Sequence, residues 1–174
     1  VDDEIAPTLS LASDASSIAE DAASAITLTA TLSNATYADV IVTLGTTGTA
    51  TSGSDYTAVA STVTISAGST SGITTFTPTN DTMFETATAE TAIIAVTGVS
   101  GGSASELGSQ SKTISITADS DAAPTVTLAS SASSVGEAGS DLTLTATLSN
   151  PTYQTVTISI DGTGGSATEG SDFA

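Results

Sequence analysis

The sequence predicts an all-β chain, a two-sheet antiparallel sandwich followed by part of a second copy. Three observations carry that reading. Apolar residues alternate with polar ones at a period of two, as in Ile26, Leu28, Ala30 and Leu32 between Thr27, Thr29, Thr31 and Ser33, which is the pattern of a strand with one buried face. Glycine and asparagine cluster between such runs, and no stretch shows helical spacing with a capping box. An internal repeat is also present: Ala6-Pro7-Thr8-Leu9-Ser10-Leu11-Ala12-Ser13 returns as Ala123-Pro124-Thr125-Val126-Thr127-Leu128-Ala129-Ser130, and residues 27–34 return unchanged at 143–150.

Seven runs follow in order within one copy, near residues 7–12, 25–33, 38–45, 60–66, 70–77, 89–97 and 111–118. The first carries Leu9 and Leu11. The second is the alternating stretch above, and the third has Val40, Val42 and Leu44. Val63 and Ile65 mark the fourth, Ala92, Ile94 and Val96 the sixth, and Ile114 and Ile116 the seventh. The fifth is irregular, because Ile73 and Phe76 break the parity and Pro78 confines its end to a sheet edge or a bulge. Seven short strands separated by turns suggest two packed sheets. The repeat is about 117 residues long, so the chain holds about one and a half copies. Residues 1–5 read as the tail of a preceding repeat or linker, 6–121 as a complete sandwich, 122–124 as a link stiffened by Pro124, and 125–174 as the N-terminal half of a second copy. The chain opens at Val1 rather than Met and reads as an excerpt of a longer protein.

Composition narrows the chemistry. The 174 residues include 19 Asp plus Glu against one Lys, with no His, Cys or Trp and a net charge of −18. Zinc or copper sites built on His and Cys, thiol nucleophiles and His-based triads are excluded, so an enzyme is not expected. The charge repels phosphate backbones and anionic lipid, which argues against nucleic acid, and no apolar run is long enough for membrane insertion. Cations are the natural partners of such a surface.

If each strand crosses the sandwich once, the acidic connections sort to one end. The links after the first, third, fifth and seventh runs carry Glu20 with Asp21, Asp55, Asp81 with Glu85, and Asp119 with Asp121, while the other end offers mainly Asn34, Gly68 and Glu106. Two carboxylates about 4 Å apart repel by a few kcal/mol at an effective dielectric near 20, so a cluster requires a counter-ion or protonation. Lys112 alone cannot neutralise the group. Calcium, which takes six to eight hard oxygen ligands in flexible geometry, is the physical resolution.

Five separated motifs then occur in a recognisable order: Ser16-Ser17-Ile18-Ala19-Glu20, residues 48–56 ending in Gly53-Ser54-Asp55-Tyr56, Val63-Thr64-Ile65-Ser66-Ala67-Gly68, Asn80-Asp81 followed by Glu85, and Ile116-Thr117-Ala118-Asp119-Ser120-Asp121. They resemble the Calx-beta domain, over residues 7–121 completely and 124–174 in part. That family occurs in sodium/calcium exchangers, in some integrin subunits and in tandem arrays of large bacterial surface proteins. The resemblance implies a seven-stranded immunoglobulin-like sandwich that binds calcium at the end where the chain exits. It implies ligand roles for Glu20, Asp55, Asp81, Glu85, Asp119 and Asp121, and for Glu137 and Asp172 in the second copy. Asn80 stands where the family usually has an acid, and Ser120 interrupts the closing acidic triplet, so a reduced set of one or two ions is expected.

Plainer roles stand beside these. Asp55 also reads as a turn residue bonding its own backbone ahead of a packed aromatic, Glu85 as a solvated loop acid, and Asp119 and Asp121 as linker acids that block edge pairing. Asn34-Ala35-Thr36 and Asn80-Asp81-Thr82 fit the glycosylation triplet, which Thr-rich sequence produces freely. The expected function is a calcium-binding structural repeat of an extracellular or cell-surface protein, an adhesin or fibre-like array, with calcium stiffening the junction between repeats. A surface-layer or filament subunit pairing strands between chains, and a calcium-sensing regulatory module, are the alternatives. Expected partners are neighbouring repeats of the same chain and other copies of itself in a fibre or layer. Such copies would cover the apolar faces of residues 124–174.

Overall fold

The computed structural model describes residues 5–85, 89–118, 121–136, 139–162 and 165–167. Contacts divide the chain into two units, Val1–Asp81 with Thr86–Ser120, and Thr82–Glu85 with Asp121–Ala174. Every regular element among the described residues is a strand, so no helix there is long and apolar enough to cross a membrane.

The described residues of the first unit form ten strands: β1 (Thr8–Ser13), β2 (Ser17–Ala19), β3 (Ile26–Leu32), β4 (Val40–Gly48), β5 (Tyr56–Thr57), β6 (Thr62–Ile65), β7 (Ser71–Pro78), β8 (Glu90–Ser100), β9 (Ser105–Glu106) and β10 (Ser111–Thr117). They form two five-stranded sheets, ordered β5-β7-β3-β1-β9 and β2-β10-β8-β4-β6. The seven runs read from the sequence are β1, β3, β4, β6, β7, β8 and β10. The added strands are two or three residues long, too short to show an alternation.

Parity becomes burial. Leu9 and Leu11 of β1, Ile26, Leu28, Ala30 and Leu32 of β3, Val40 and Val42 of β4, and Ile94 and Ile114 from β8 and β10 all belong to one core. Fully burying such a side chain stabilises by roughly 1.5–3 kcal/mol. The irregular fifth run is explained by β7, whose inward positions are Gly72, Thr74, Phe76 and Pro78 while Ile73 is 66 % exposed. A Cβ on Gly72 would lie 2.8 Å from the Thr64 carbonyl oxygen and from Val63 Cγ1. The facing sheet therefore takes the space of a side chain there, and the apolar pattern lapses without a change of face. Pro78 pairs only with Tyr56 of the two-residue β5, the lightly paired outer side on which a missing N–H is tolerated.

The first run changes sheets. Ser13 ends β1, the Asp14 carboxylate accepts from the Thr27 N–H at 2.9 Å, and the chain resumes as β2, parallel to β10. At the other edge β9 pairs in parallel with Thr8 and Leu9, and the Gln110 side-chain oxygen accepts from the Leu11 N–H at 3.1 Å. Both devices occupy edge donors that could otherwise pair with another chain.

In the second unit β11 (Val126–Ser130) and β12 (Leu144–Leu148) form an antiparallel hairpin. The N-terminal half of a second copy would carry a third run matching β4, and residues 155–160, which take that place in the repeat, form no strand. Its counterpart β4 is held between β6 and β8, and residues 125–174 contain no counterparts of those two strands.

Candidate metal centre

Main-chain bonds place four connections of the first unit at one end. After β2, the Glu20 N–H donates to the Thr117 carbonyl at the end of β10, at 3.0 Å. Ile116 of β10 lies opposite both Ile18 of β2 and Glu90 of β8. The start of β8 meets the residues after β4, where the Ala50 N–H donates to the Thr91 carbonyl at 3.0 Å and the Thr91 N–H to Thr49 Oγ1 at 2.9 Å. The Asp55 carbonyl in turn accepts from the Thr79 N–H, two residues before Asp81, at 3.0 Å. Hydrogen bonds between these elements thus bring the connections that carry Glu20, Asp55 and Asp81 to one end of the first unit.

The carboxylates differ in setting. Glu20 is only 8 % exposed, the one acidic residue of the buried class among those described. It has the parity of Ile18 on β2, so it sits at the rim of the core rather than out on the loop. Asp55 accepts from the Thr51 N–H through Oδ2, and its own N–H donates to the Thr51 carbonyl at 2.9 Å. The next residue, Tyr56, is buried and stacked on Phe76 with ring centroids 4.8 Å apart and planes at 27°. The turn-and-anchor role is therefore realised at this position, with one carboxylate oxygen engaged by its own loop. Asp81 is half-buried and ends the first segment of the first unit.

Glu85 and Asp121 belong to the second unit. Asp119, Glu137 and Asp172 lie outside the described residues. Among the described residues no group of three or more acidic side chains is already gathered to hold a metal ion. The donors at this end are hard carboxylate and carbonyl oxygens, chemistry that suits calcium rather than a soft metal. Their convergence is what the described residues leave unmade.

The sequence reading passed over two acids. Glu90 begins β8 with the inward parity of Ala92, Ile94 and Val96 and is half-buried at the same end. The signal was available, since an acid in register with three core residues at the head of a strand stands at the mouth of the sandwich. Asp39 adds charge to the opposite end, where its carboxylate accepts from the Ala67 N–H at 2.9 Å, alongside Glu106, which accepts from the Gln110 N–H.

The sequence profile of the Calx-beta domain matches residues 2–121 and again 119–174. The chain belongs to the Calx-beta domain family. Two solved structures share its fold. "Crystal structure of Apo-form Calx CBD1 domain" aligns at 16 % identity and a TM-score of 0.52, over 64 % of this chain and 98 % of that one. "Crystal structure of CBD12 from CALX1.2" aligns at 17 % identity and a TM-score of 0.52, over 63 % of this chain but 44 % of that one. No curated protein matches the chain. The immunoglobulin-like sandwich expected of a Calx-beta domain is thus the fold of the first unit, with the second profile match covering the partial copy.

Proposed function

We propose that the chain is a non-catalytic, calcium-binding spacer from a tandem array on an extracellular surface. The observation that supports this most strongly is the bonding that brings the Glu20, Asp55 and Asp81 connections to one end of a chain with net charge −18. Glu20, Asp55 and Asp81 supply oxygens from the first unit, and the resemblance implies ligand roles for Asp119 there and for Glu85, Asp121, Glu137 and Asp172 in the second unit. A bound divalent cation supplies charge compensation. The chain's own part is to hold the donors on short connections between packed strands, so that less ordering entropy is spent on binding. Extracellular modules of this kind bind calcium with dissociation constants of about 0.1–1 mM, which suits a site rich in serine and threonine loops and few fixed carboxylates. The array then acts mechanically, as a spacer whose stiffness follows calcium concentration.

Isothermal titration of calcium into the chelator-treated chain tests the proposal. Saturable binding that is weakened by Asp81→Ala and Glu20→Gln supports it. Absence of heat and of any melting shift at 10 mM calcium, a concentration about tenfold above that range, overturns it.

A further inference from the structure

The turn after β3 and the turn after β12 are framed by the same bonds. In the first copy the Ser33 N–H donates to the Thr8 carbonyl at 2.9 Å, the Thr8 N–H to Ser33 Oγ at 3.0 Å, the Ser33 hydroxyl to Asn34 Oδ1 at 2.8 Å, and the Asn34 amide to the Ile5 carbonyl at 3.2 Å. Ser149, Thr125, Asn150 and Ala122 repeat every one of these in the second copy. The frames then part at one threonine. Thr36 gives its hydroxyl to the Ala38 carbonyl of its own turn, whereas its counterpart Thr152 gives it to the Phe84 carbonyl at 3.1 Å. The Phe84 N–H donates to the Pro151 carbonyl at 3.0 Å, and the two segments form a parallel bridge within the second unit.

In the first copy the same turn borders a cavity of about 310 Å³, lined among others by Ile5, Pro7, Thr36, Tyr37 and Gly102. Tyr37 on that turn is 96 % exposed, whereas Tyr153 at the matching place is 55 % exposed. The volume is at the lower end of ligand-sized sites, about 300 Å³, which suits a single aromatic anchor.

We propose that the cavity beside Asn34–Ala38 is the seat for a second copy of this domain, which docks through its own Thr82–Glu85 loop with Phe84 as the anchor. The occupant is specified by the matching turn, which already holds that loop by two main-chain-directed bonds. The geometry requires that the incoming Phe84 leave the Pro151 carbonyl and the Thr152 hydroxyl of its own chain, that the Ala35 carbonyl accept from its N–H, and that the buried Thr36 turn its hydroxyl from Ala38 to the incoming carbonyl. The loop that carries Phe84 runs from Asp81 to Glu85, two of the acids assigned to the calcium site, so docking is tested under chelator, where a failure of the calcium reading leaves its outcome unchanged. One feature competes with it: Gly102 presses so closely on Thr36 that a Cβ there would lie 2.7 Å from Thr36 Cγ2. The turn at Gly102 already stands against Thr36 and has to shift before Phe84 can take the place it holds in the second unit.

The test is titration of a disulfide-closed peptide carrying residues 79–89 into the isotopically labelled full chain under chelator, followed through its amide resonances. Saturable shifts at Ala35, Thr36, Tyr37 and Gly102, with the Phe84→Ala peptide at least about tenfold weaker, are expected. No saturable shift at those residues up to several millimolar overturns the proposal, as do equal shifts from the Phe84→Ala peptide. Shifts confined to Thr152–Gln154 overturn it too, since they mean that the Gly102 turn closes the seat in a complete copy.

Discussion

Leu28 and Leu144 occupy the same place in the same eight-residue sequence, yet Leu28 is fully buried and Leu144 is 46 % exposed. The hairpins around them are alike. Leu9, Leu11 and Ser13 face Leu32, Ala30 and Leu28 in the first copy, and Val126, Leu128 and Ser130 face Leu148, Ala146 and Leu144 in the second. Local sequence thus sets pairing and register, because side-chain parity and the serine-asparagine turn frame are the same. Burial comes from residues much later in the chain. Phe76 and Ile65, which lie in the core with Leu28, come from β7 and β6, and those strands have no counterpart in residues 125–174.

The largest expected effect breaks this symmetry directly. Leu28→Ala should cost about 2–5 kcal/mol, the range for a truncated core leucine, while Leu144→Ala should cost less than about 1 kcal/mol. Denaturant melts of the two variants check it, and equal losses would mean that the second hairpin is packed as fully as the first. Calcium comes next. At a hundredfold excess over its dissociation constant it should add about 2.7 kcal/mol to the first sandwich, seen as a higher melting temperature than in chelator. A melting curve indifferent to calcium would remove the site from the first copy as well as the second.

The two ends of the first sandwich sharpen the comparison further. Asp81→Ala should weaken calcium binding by about tenfold, equivalent to about 1.4 kcal/mol. Glu106→Ala at the far end should leave the affinity unchanged and lower stability alone, because its carboxylate bonds the Gln110 N–H. Calorimetry on both variants decides, and matched losses of affinity would reduce the effect to net charge. The smallest effect lies at the sheet switch. Asp14→Ala should cost about 1 kcal/mol by removing the acceptor for the Thr27 N–H. Asp14→Ser should be nearly neutral, since Ser131 accepts from the Thr143 N–H at 3.0 Å in the second copy. A serine variant as unstable as the alanine one would show that charge rather than the bond closes the turn.

Much of the fold was legible because Thr-rich alternation is a one-dimensional record of which face is buried. The runs at residues 25–33 and 38–45 became β3 and β4 on that basis, and the acidic connections could be sorted to one end by counting strand crossings. The site was less legible. Asp55 was read both as a donor and as a turn residue, and its bond to Thr51 depends on a loop conformation that spacing does not encode. Glu90 was overlooked because an acid at the head of a strand reads as solvent-facing until the inward parity of Ala92 and Ile94 is extended back to it.

The sequence by itself determined the period of the strands, the repeat, the register of both hairpins and the sign of the charge, since each is set by neighbours along the chain. Only the tertiary structure decided that residues 17–19 leave one sheet for the other and bring Glu20 beside Thr117. It alone decided that Gly72 yields its inward space to Val63 and Thr64, and that Thr36 and Thr152 bond differently within matching turns. Those outcomes depend on which segments, tens of residues away, compete for the same hydrogen-bonding group or the same volume, and a pattern read along one strand carries no record of that competition.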